Sequence, residues 1–471
     1  DGLIISDTSP FPLNATDPGA LGVSQAGDIS LETQSLTLIN GAEVLTRSFN
    51  GGAAGNVEVR PLDPNRPSAV LIDGVVDIET DLATGAYVGG GFSSGLFSTA
   101  EETSRATERG EVRVITDALT IRNGGVISAR TRSENGAPGS NVFVNVNDLN
   151  MTGGGQIVSV TFGSGTAGDI NIAANNSVNI SGVDGLFNQR QTDMFVAQYI
   201  RAAANGAGIE EAYLAALDAI DFSIDPVTLN SGIYANNRVN FDTQEVNGLI
   251  VVQPRTDGAG KPGAVTISSP SITVADTGQI STTTARSESS GDINLITQSL
   301  ALRNGGRVFV QTFGEGAGGN ISVRPLDGNQ PSQLLIDGVA PIIPEQLTLA
   351  GATFVRPYGG FSSGLVASTE DQDVVYLEDP FVAIGDDLLS EIDSINSTTG
   401  AGGSIFIEDI DTVEILNGGV LTSRSRSSAT GGNISIRRAD TVSLRGGGQA
   451  IVSALDYRRG ESGSQIGRAH V

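Results

Sequence analysis

The chain has 471 residues, a formal net charge of −26 and no cysteine. The lack of cysteine excludes disulfides, thiolate metal sites and cysteine nucleophiles, and the acidic balance argues against nucleic acid as a partner, since phosphate binding needs clustered Lys and Arg. No apolar run approaches the ~20 residues of a membrane helix, so no membrane span is expected.

A long internal repeat dominates the sequence, because residues 27–75 align without a gap with residues 291–339. A shorter period of about 28 residues lies within it, which is typical of stacked architectures. Each period opens with an apolar-alternating segment that begins near Ile29, Val57, Val112, Val142, Ile170, Val265, Ile293, Ile321, Ile405 or Ile434.

Each regular period holds three short segments with alternating apolar residues, as at Ile29 and Leu31, Leu36 and Leu38, and Val44. Alternation is typical of strands with one face inward, and Gly, Asn and Asp separate them as corner residues. The pattern predicts an all-β fold, a parallel β-helix of about ten coils with loop insertions. We expect 1–185 and 231–465 to form its two parts.

Three coils depart from the repeat, and insertions in solenoids map to loops on particular faces. The departures lie at 72–93, 180–231 and 336–362, in coils two, five and eight. Each follows a similar corner, at Gly74, Gly182 or Gly338. We therefore predict that the three insertions leave one corner of the rod.

The middle insertion, 186–230, differs in kind and is predicted to be mainly helical. Segments 192–205 and 209–220 are rich in alanine with apolar residues at helical spacing, and Gly206 lies between them. This predicts a helical hairpin, with Thr192 and Asp193 as the cap of its first helix. It could cover part of the β surface or bind a partner or ligand.

A second departure, 368–394, is strongly acidic. Such runs are typical of solvated surface, although calcium could bind these oxygens; no EF-hand spacing or calcium-binding nonapeptide is present. Its nine carboxylates belong to Glu370, Asp371, Asp373, Glu378, Asp379, Asp386, Asp387, Glu391 and Asp393.

Both ends of the sequence depart from the repeat. The abrupt start indicates an interior fragment of a longer protein. Residues 466–471 leave the coil pattern and match a translated sequencing-adapter sequence, so they are predicted to be a non-native tail. That tail holds the only histidine, His470, which should not be read as catalytic.

Catalytic motifs are missing from the sequence. No internal histidine is available for a serine triad, and no phosphate-binding loop has the required Lys-Ser/Thr. The paired arginines Arg130, Arg132, Arg424 and Arg426 recur at equivalent places of the repeat, which favours an outward, solvated role. We predict no catalytic, cofactor-binding or metal-binding residues, no cofactor and no enzyme activity.

The repeat contains Gly-Gly-Asn-Ile at 318–321, S-L-A-L-R-N-G-G at 299–306 and T-F-G-E-G at 312–316. These segments resemble the repeats of cyanobacterial filamentous-haemagglutinin-like exoproteins, which are passengers of two-partner secretion. The resemblance covers nearly all of 27–455 outside the insertions. It implies a right-handed β-helix, and export of the full-length parent through a dedicated outer-membrane pore. The secretion domain of that family, with its Asn-Pro-Asn motifs, is not found here.

Two classes of function remain open at this point. The first is a secreted or cell-surface structural adhesin, a rod that presents loops to surface glycans or other cells. The second is a carbohydrate-active β-helix enzyme, a polysaccharide lyase or hydrolase, and a surface-layer or filament scaffold is a further alternative. An enzyme should show one cleft lined by non-repeated acids and bases, whereas an adhesin should show shallow polar faces and protruding loops.

Overall fold

The chain folds as a parallel β-helix of stacked coils with short insertions. The computed structural model describes residues 2–8, 25–49, 51–101, 104–133, 135–208, 211–213, 215–216, 228–237, 241–246, 249–254, 260–284, 288–312, 316–349, 352–369, 400–425, 429–454 and 465–467.

One wall of the rod is a twelve-stranded sheet, parallel except at its last strand, which pairs antiparallel with its neighbour. Its strands, in spatial order, are Leu3–Asp7, Glu43–Ser48, Gly95–Ala100, Val126–Thr131, Gln156–Thr161, Gly232–Asn237, Gln279–Thr284, Arg307–Thr312, Gly364–Thr369, Val420–Ser425, Gln449–Ala454 and Gln465–Gly467.

The remaining wall is a fifteen-stranded parallel sheet. Its strands are Ile29–Glu32, Ser35–Ile39, Val57–Arg60, Ala69–Asp73, Glu111–Arg122, Asn141–Thr152, Ile170–Ser181, Val265–Ala275, Ile293–Arg303, Ile321–Arg324, Gln333–Asp337, Ile405–Glu408, Thr412–Leu416, Ile434–Arg437 and Thr441–Arg445. Three antiparallel pairs lie outside both sheets: Glu79–Thr80 with Tyr87–Gly89, Phe241–Val246 with Leu249–Pro254, and Ile343–Leu349 with Ala352–Tyr358.

The strand register confirms the ten predicted coils. The ten residues expected to open the coils form one continuous column, in which each pairs with the equivalent residue of the next coil, from Ile29 with Val57 to Ile405 with Ile434. Pairing continues across the middle insertion, since Ile170 pairs with Val265.

The prediction of three separate strands in every coil is wrong for coils three to seven. There the first two segments form one long strand, such as Glu111–Arg122, because the few residues between them stay extended. The segments remain separate where something interrupts the strand. In coil two this is the loop 61–68, and in coil nine it is Asp409, which has a positive φ of 59°.

Alternation in the strands places aliphatic side chains inside the rod, as expected. Val142, Ile170 and Val265 are fully buried in consecutive coils. The wall formed by the twelve-stranded sheet instead carries buried hydroxyls near its last inward positions. Thr161 Oγ1 donates to the carbonyl of Gly165 at 2.6 Å, and Thr282 Oγ1 to that of Gly291 at 2.6 Å. These bonds offset the cost of burying the hydroxyls.

The middle insertion contains the helix Phe187–Ala204, which begins five residues before the predicted start. The predicted cap at Thr192 and Asp193 is therefore wrong. The helix starts after Leu186, with no side-chain cap. Thr192 is buried within the helix, where its hydroxyl donates to the carbonyl of Asn188 at 2.9 Å. Residues 211–213 and 215–216 are also helical, and the rest of the predicted second helix lies outside the described residues.

Candidate functional site

The three insertions leave the rod through necks of the same geometry. Antiparallel bridges join Val75 to Ser93, Val183 to Asn230 and Val339 to Ser362. In each neck the returning serine, Ser94, Ser231 or Ser363, donates its backbone N–H at 2.9 Å to the carbonyl of the corner glycine, Gly74, Gly182 or Gly338. These glycines have φ values of 79–85°, a region that glycine adopts without strain.

The strand register confirms that the necks share one corner. Asp73, Ser181 and Asp337, which precede the three glycines, belong to a single column of paired residues. One neck leaves at every third coil, or about every 14 Å at the usual strand spacing.

The insertions contact one another and form a continuous layer along this side of the rod; we call it the insertion layer. The Arg201 guanidinium lies over the ring of Tyr87 at 5.8 Å, which joins the helix to the first insertion. Asn230 Nδ2 donates to the Tyr358 hydroxyl at 2.6 Å, which joins the second and third insertions. The three insertions therefore form one composite surface.

The outer side of the insertion layer carries exposed apolar side chains. Leu82, Val88 and Leu186 are each more than half exposed, and Leu82 is exposed completely. Half-buried aromatic rings lie on the helical part, where Phe195 contacts Tyr213 edge-on at a centroid distance of 5.5 Å.

The middle neck packs against corner glycines of neighbouring coils. A Cβ on Gly154 would lie 2.4 Å from Cβ of Asp184, so only glycine leaves room for the neck. Asp184, 7% exposed, forms an ion pair with Arg190 and accepts a hydrogen bond from the Leu186 backbone N–H. Burial lowers the pKa of Arg190, and the Asp77 carboxylate opposes that shift. These contacts anchor the first turn of the helix.

Arg130 and Arg424 point outward, as predicted, but a solvated role is wrong for Arg132. Arg130 lies between the inward, buried Ala129 and Thr131. The Arg132 side chain is only 13% exposed, and its guanidinium nitrogen lies 3.6 Å from a carboxylate oxygen of Glu101. Arg424 occupies the equivalent outward place in its strand, and Arg426 lies outside the described residues.

A shallow groove of about 310 Å³ follows the outer face of the fifteen-stranded sheet. The sequence analysis did not predict this groove. The sequence signal for it was Phe143, an aromatic residue at a strand position where the following coils carry the polar residues Asn171, Thr266 and Asn294. The side chains of its lining strands that face outward belong to Arg113, Ile115, Phe143, Asn145, Asn171, Ala173, Thr266 and Ser268.

The groove contains no paired acid and base. Arg113 is the one charged residue among those that line it in the described chain. Its guanidinium lies 4.9 Å from the centroid of the Phe143 ring and donates to Glu111 at 2.5 Å. This arrangement has the polar and aromatic character of a binding surface and lacks the acid–base pair of a glycoside hydrolase.

The described residues hold neither a metal-binding cluster nor a helix that could span a membrane. No group of three or more His, Asp or Glu side chains there could hold a metal ion. Helices in that part of the chain lack the length and apolar character needed to cross a bilayer. The nine carboxylates of the acidic segment and His470 lie outside the described residues, and of the predicted non-native tail only 466–467 is described.

No family model, curated protein or solved structure matches this chain.

Proposed function

We infer that this chain is a non-catalytic binding rod, a structural adhesin that is secreted or displayed at the cell surface. The proposal rests on the insertion layer, in which three insertions of different composition leave through necks of the same geometry and join into one surface. A rod of regular coils with a variable lateral surface suits the presentation of contacts to another cell or its glycans.

Chemical character supports binding over catalysis. The insertion layer carries exposed apolar residues such as Leu82 and Leu186, and a contact of an aromatic ring with a cation between Tyr87 and Arg201. Several weak contacts along one rigid body act together through effective concentration. The resemblance of the repeats to secreted haemagglutinin-like proteins supports an extracellular location, with export of a longer parent through an outer-membrane pore.

The chain supplies its own template for removing the insertions. In coil three, Asn123-Gly124-Gly125 joins the two sheets where coil two has residues 74–94, since Arg122 pairs with Asp73 and Val126 with Gly95. Asn-Gly-Gly can therefore replace residues 74–94, 182–231 and 338–363, singly and together. Each variant should keep the β circular dichroism spectrum, because the coil ladders do not depend on the insertions.

Binding of each variant to cells and to immobilised surface glycans then tests the proposal. We expect the single replacements to weaken binding to cells and the triple replacement to lower it by at least about tenfold, since the contacts of the three insertions act together. Undiminished binding by a folded triple variant would exclude the insertion layer as the recognition surface. Sustained depolymerisation of a polysaccharide by the parent chain would show that the protein is an enzyme and would contradict the adhesin proposal.

A further inference from the structure

The groove on the fifteen-stranded sheet has the composition of a sugar-binding surface. Its apolar part consists of the half-buried ring of Phe143 together with Ile115 and Ala173. Ligand sites combine such apolar surface with a few placed polar groups. The carbon-bound hydrogens of a pyranose ring form an apolar face that can pack against this surface, and an open groove leaves the ends of a chain-like ligand free.

Polar groups of the groove are available to a ligand. Within the described chain, no side-chain hydrogen bond engages the amides of Asn145 and Asn171 or the hydroxyls of Thr266 and Ser268. An amide offers two donors and an acceptor, and a hydroxyl offers both functions. Sugar hydroxyls require such mixed partners.

Charge at the groove selects a neutral ligand. The positive charge of Arg113 is offset by Glu111, with which it forms a hydrogen-bonded ion pair at 2.5 Å. The chain as a whole carries a net charge of −26, which repels polyanions at long range. A polycation would meet an arginine and no free carboxylate among the lining residues.

The direction of the groove indicates a polymer. Its lining residues repeat in register from coil to coil, as Arg113, Phe143, Asn171 and Thr266 do along the rod axis. Successive coils are about 4.8 Å apart, close to the length of one sugar ring in an extended chain. We propose that this groove binds a neutral, extended polysaccharide along the rod axis, at a site separate from the insertion layer.

The chain contains a matched control for the aromatic contact. Phe406 occupies the same place in coil nine as Phe143 in coil four, directly after the first inward residue of its strand, and is also half-buried. Phe406 does not line the groove. Replacing either ring by alanine should therefore perturb the fold to a similar degree, while only Phe143→Ala removes the proposed sugar contact.

Calorimetric titration of the full chain with cello-, manno- and xylo-oligosaccharides tests the proposal, at concentrations up to about 5 mM because open sites bind weakly. Oligogalacturonates serve as the charged counterpart. We expect at least one neutral series to bind, with roughly tenfold weaker affinity in Phe143→Ala. Asn171→Ala should also weaken binding, and Phe406→Ala should not.

Three results would overturn the proposal: no binding by any neutral series, tighter binding of oligogalacturonates, or equal binding by parent and Phe143→Ala. The outcome is independent of the proposed adhesin function. Replacement of all three insertions should leave binding of neutral oligosaccharides unchanged, whereas Phe143→Ala should leave binding through the insertion layer unchanged.

Discussion

Replacing Gly154 by alanine should release the helical insertion from the rod. The substitution has two costs. Gly154 has a φ of 82°, a left-handed conformation that costs a residue with a Cβ about 1–2 kcal/mol. The new Cβ would also lie 2.4 Å from Cβ of Asp184, and overpacking of this kind costs a further ~1–3 kcal/mol.

Only the second cost acts on the helix. Asp184 holds the first helical turn through Arg190 and the Leu186 N–H, so its displacement favours opening of the helix Phe187–Ala204. A loss of ~1–3 kcal/mol corresponds to amide exchange that is roughly 5- to 150-fold faster. Hydrogen exchange measured by mass spectrometry reports this opening locally, and the coil strands should retain their protection.

Gly447→Ala is the matched control. Gly447 lies at the equivalent corner of coil ten with a φ of 84°, but a Cβ there meets no atom closer than 3.8 Å. It carries the conformational cost without the clash. Equal protection of the helix from hydrogen exchange in the two variants would show that the neck does not depend on the space left by Gly154.

Three further outcomes are expected. Gln34→Ala should speed cleavage of the loop 61–68 in limited proteolysis, because the amide of Gln34 donates to the carbonyl of Arg66 at 2.8 Å and such bonds contribute ~0.5–1.5 kcal/mol. Hydrogen bonds from Asn176, and then from the neighbouring serine, lower the pKa of Asp148 below 3.8; Asn176→Ala should raise it in a carboxyl NMR titration. The stabilisation linked to that carboxylate is present above pH 3.8 and is lost as the pH falls through its lowered pKa. Leu149→Ala should lower the free energy of unfolding by ~2–5 kcal/mol, because the side chain is fully buried. The midpoint of guanidinium unfolding should fall accordingly.

Sequence periodicity predicted the coils well because each coil must place equivalent residues above one another. A slip of one residue would turn Val142 or Ile170 outward, so the pattern determines the register. The same reasoning located the necks, since an insertion in a stacked coil must leave and return at fixed places beside Gly182 and Ser231.

Features outside the repeat could not be predicted in this way. The contact of Arg201 with Tyr87 joins segments distant in sequence, and no period relates them. The early start of the helix at Phe187 depends on Asp184, which accepts from the Leu186 N–H and packs against Gly154 of the preceding coil, a contact between segments distant in sequence. Phe143 was visible as an aromatic residue, but the groove around it arises only when four coils are stacked.

The necks have a consequence for how such a chain can change over generations. Because entry and exit are hydrogen-bonded to each other at Gly74, Gly182 and Gly338, the length and sequence of what lies beyond them do not alter the phase of the next coil. Selection can therefore rewrite one insertion at a time while the scaffold persists. Grafting a foreign segment between such a glycine and its returning serine should be tolerated for the same reason.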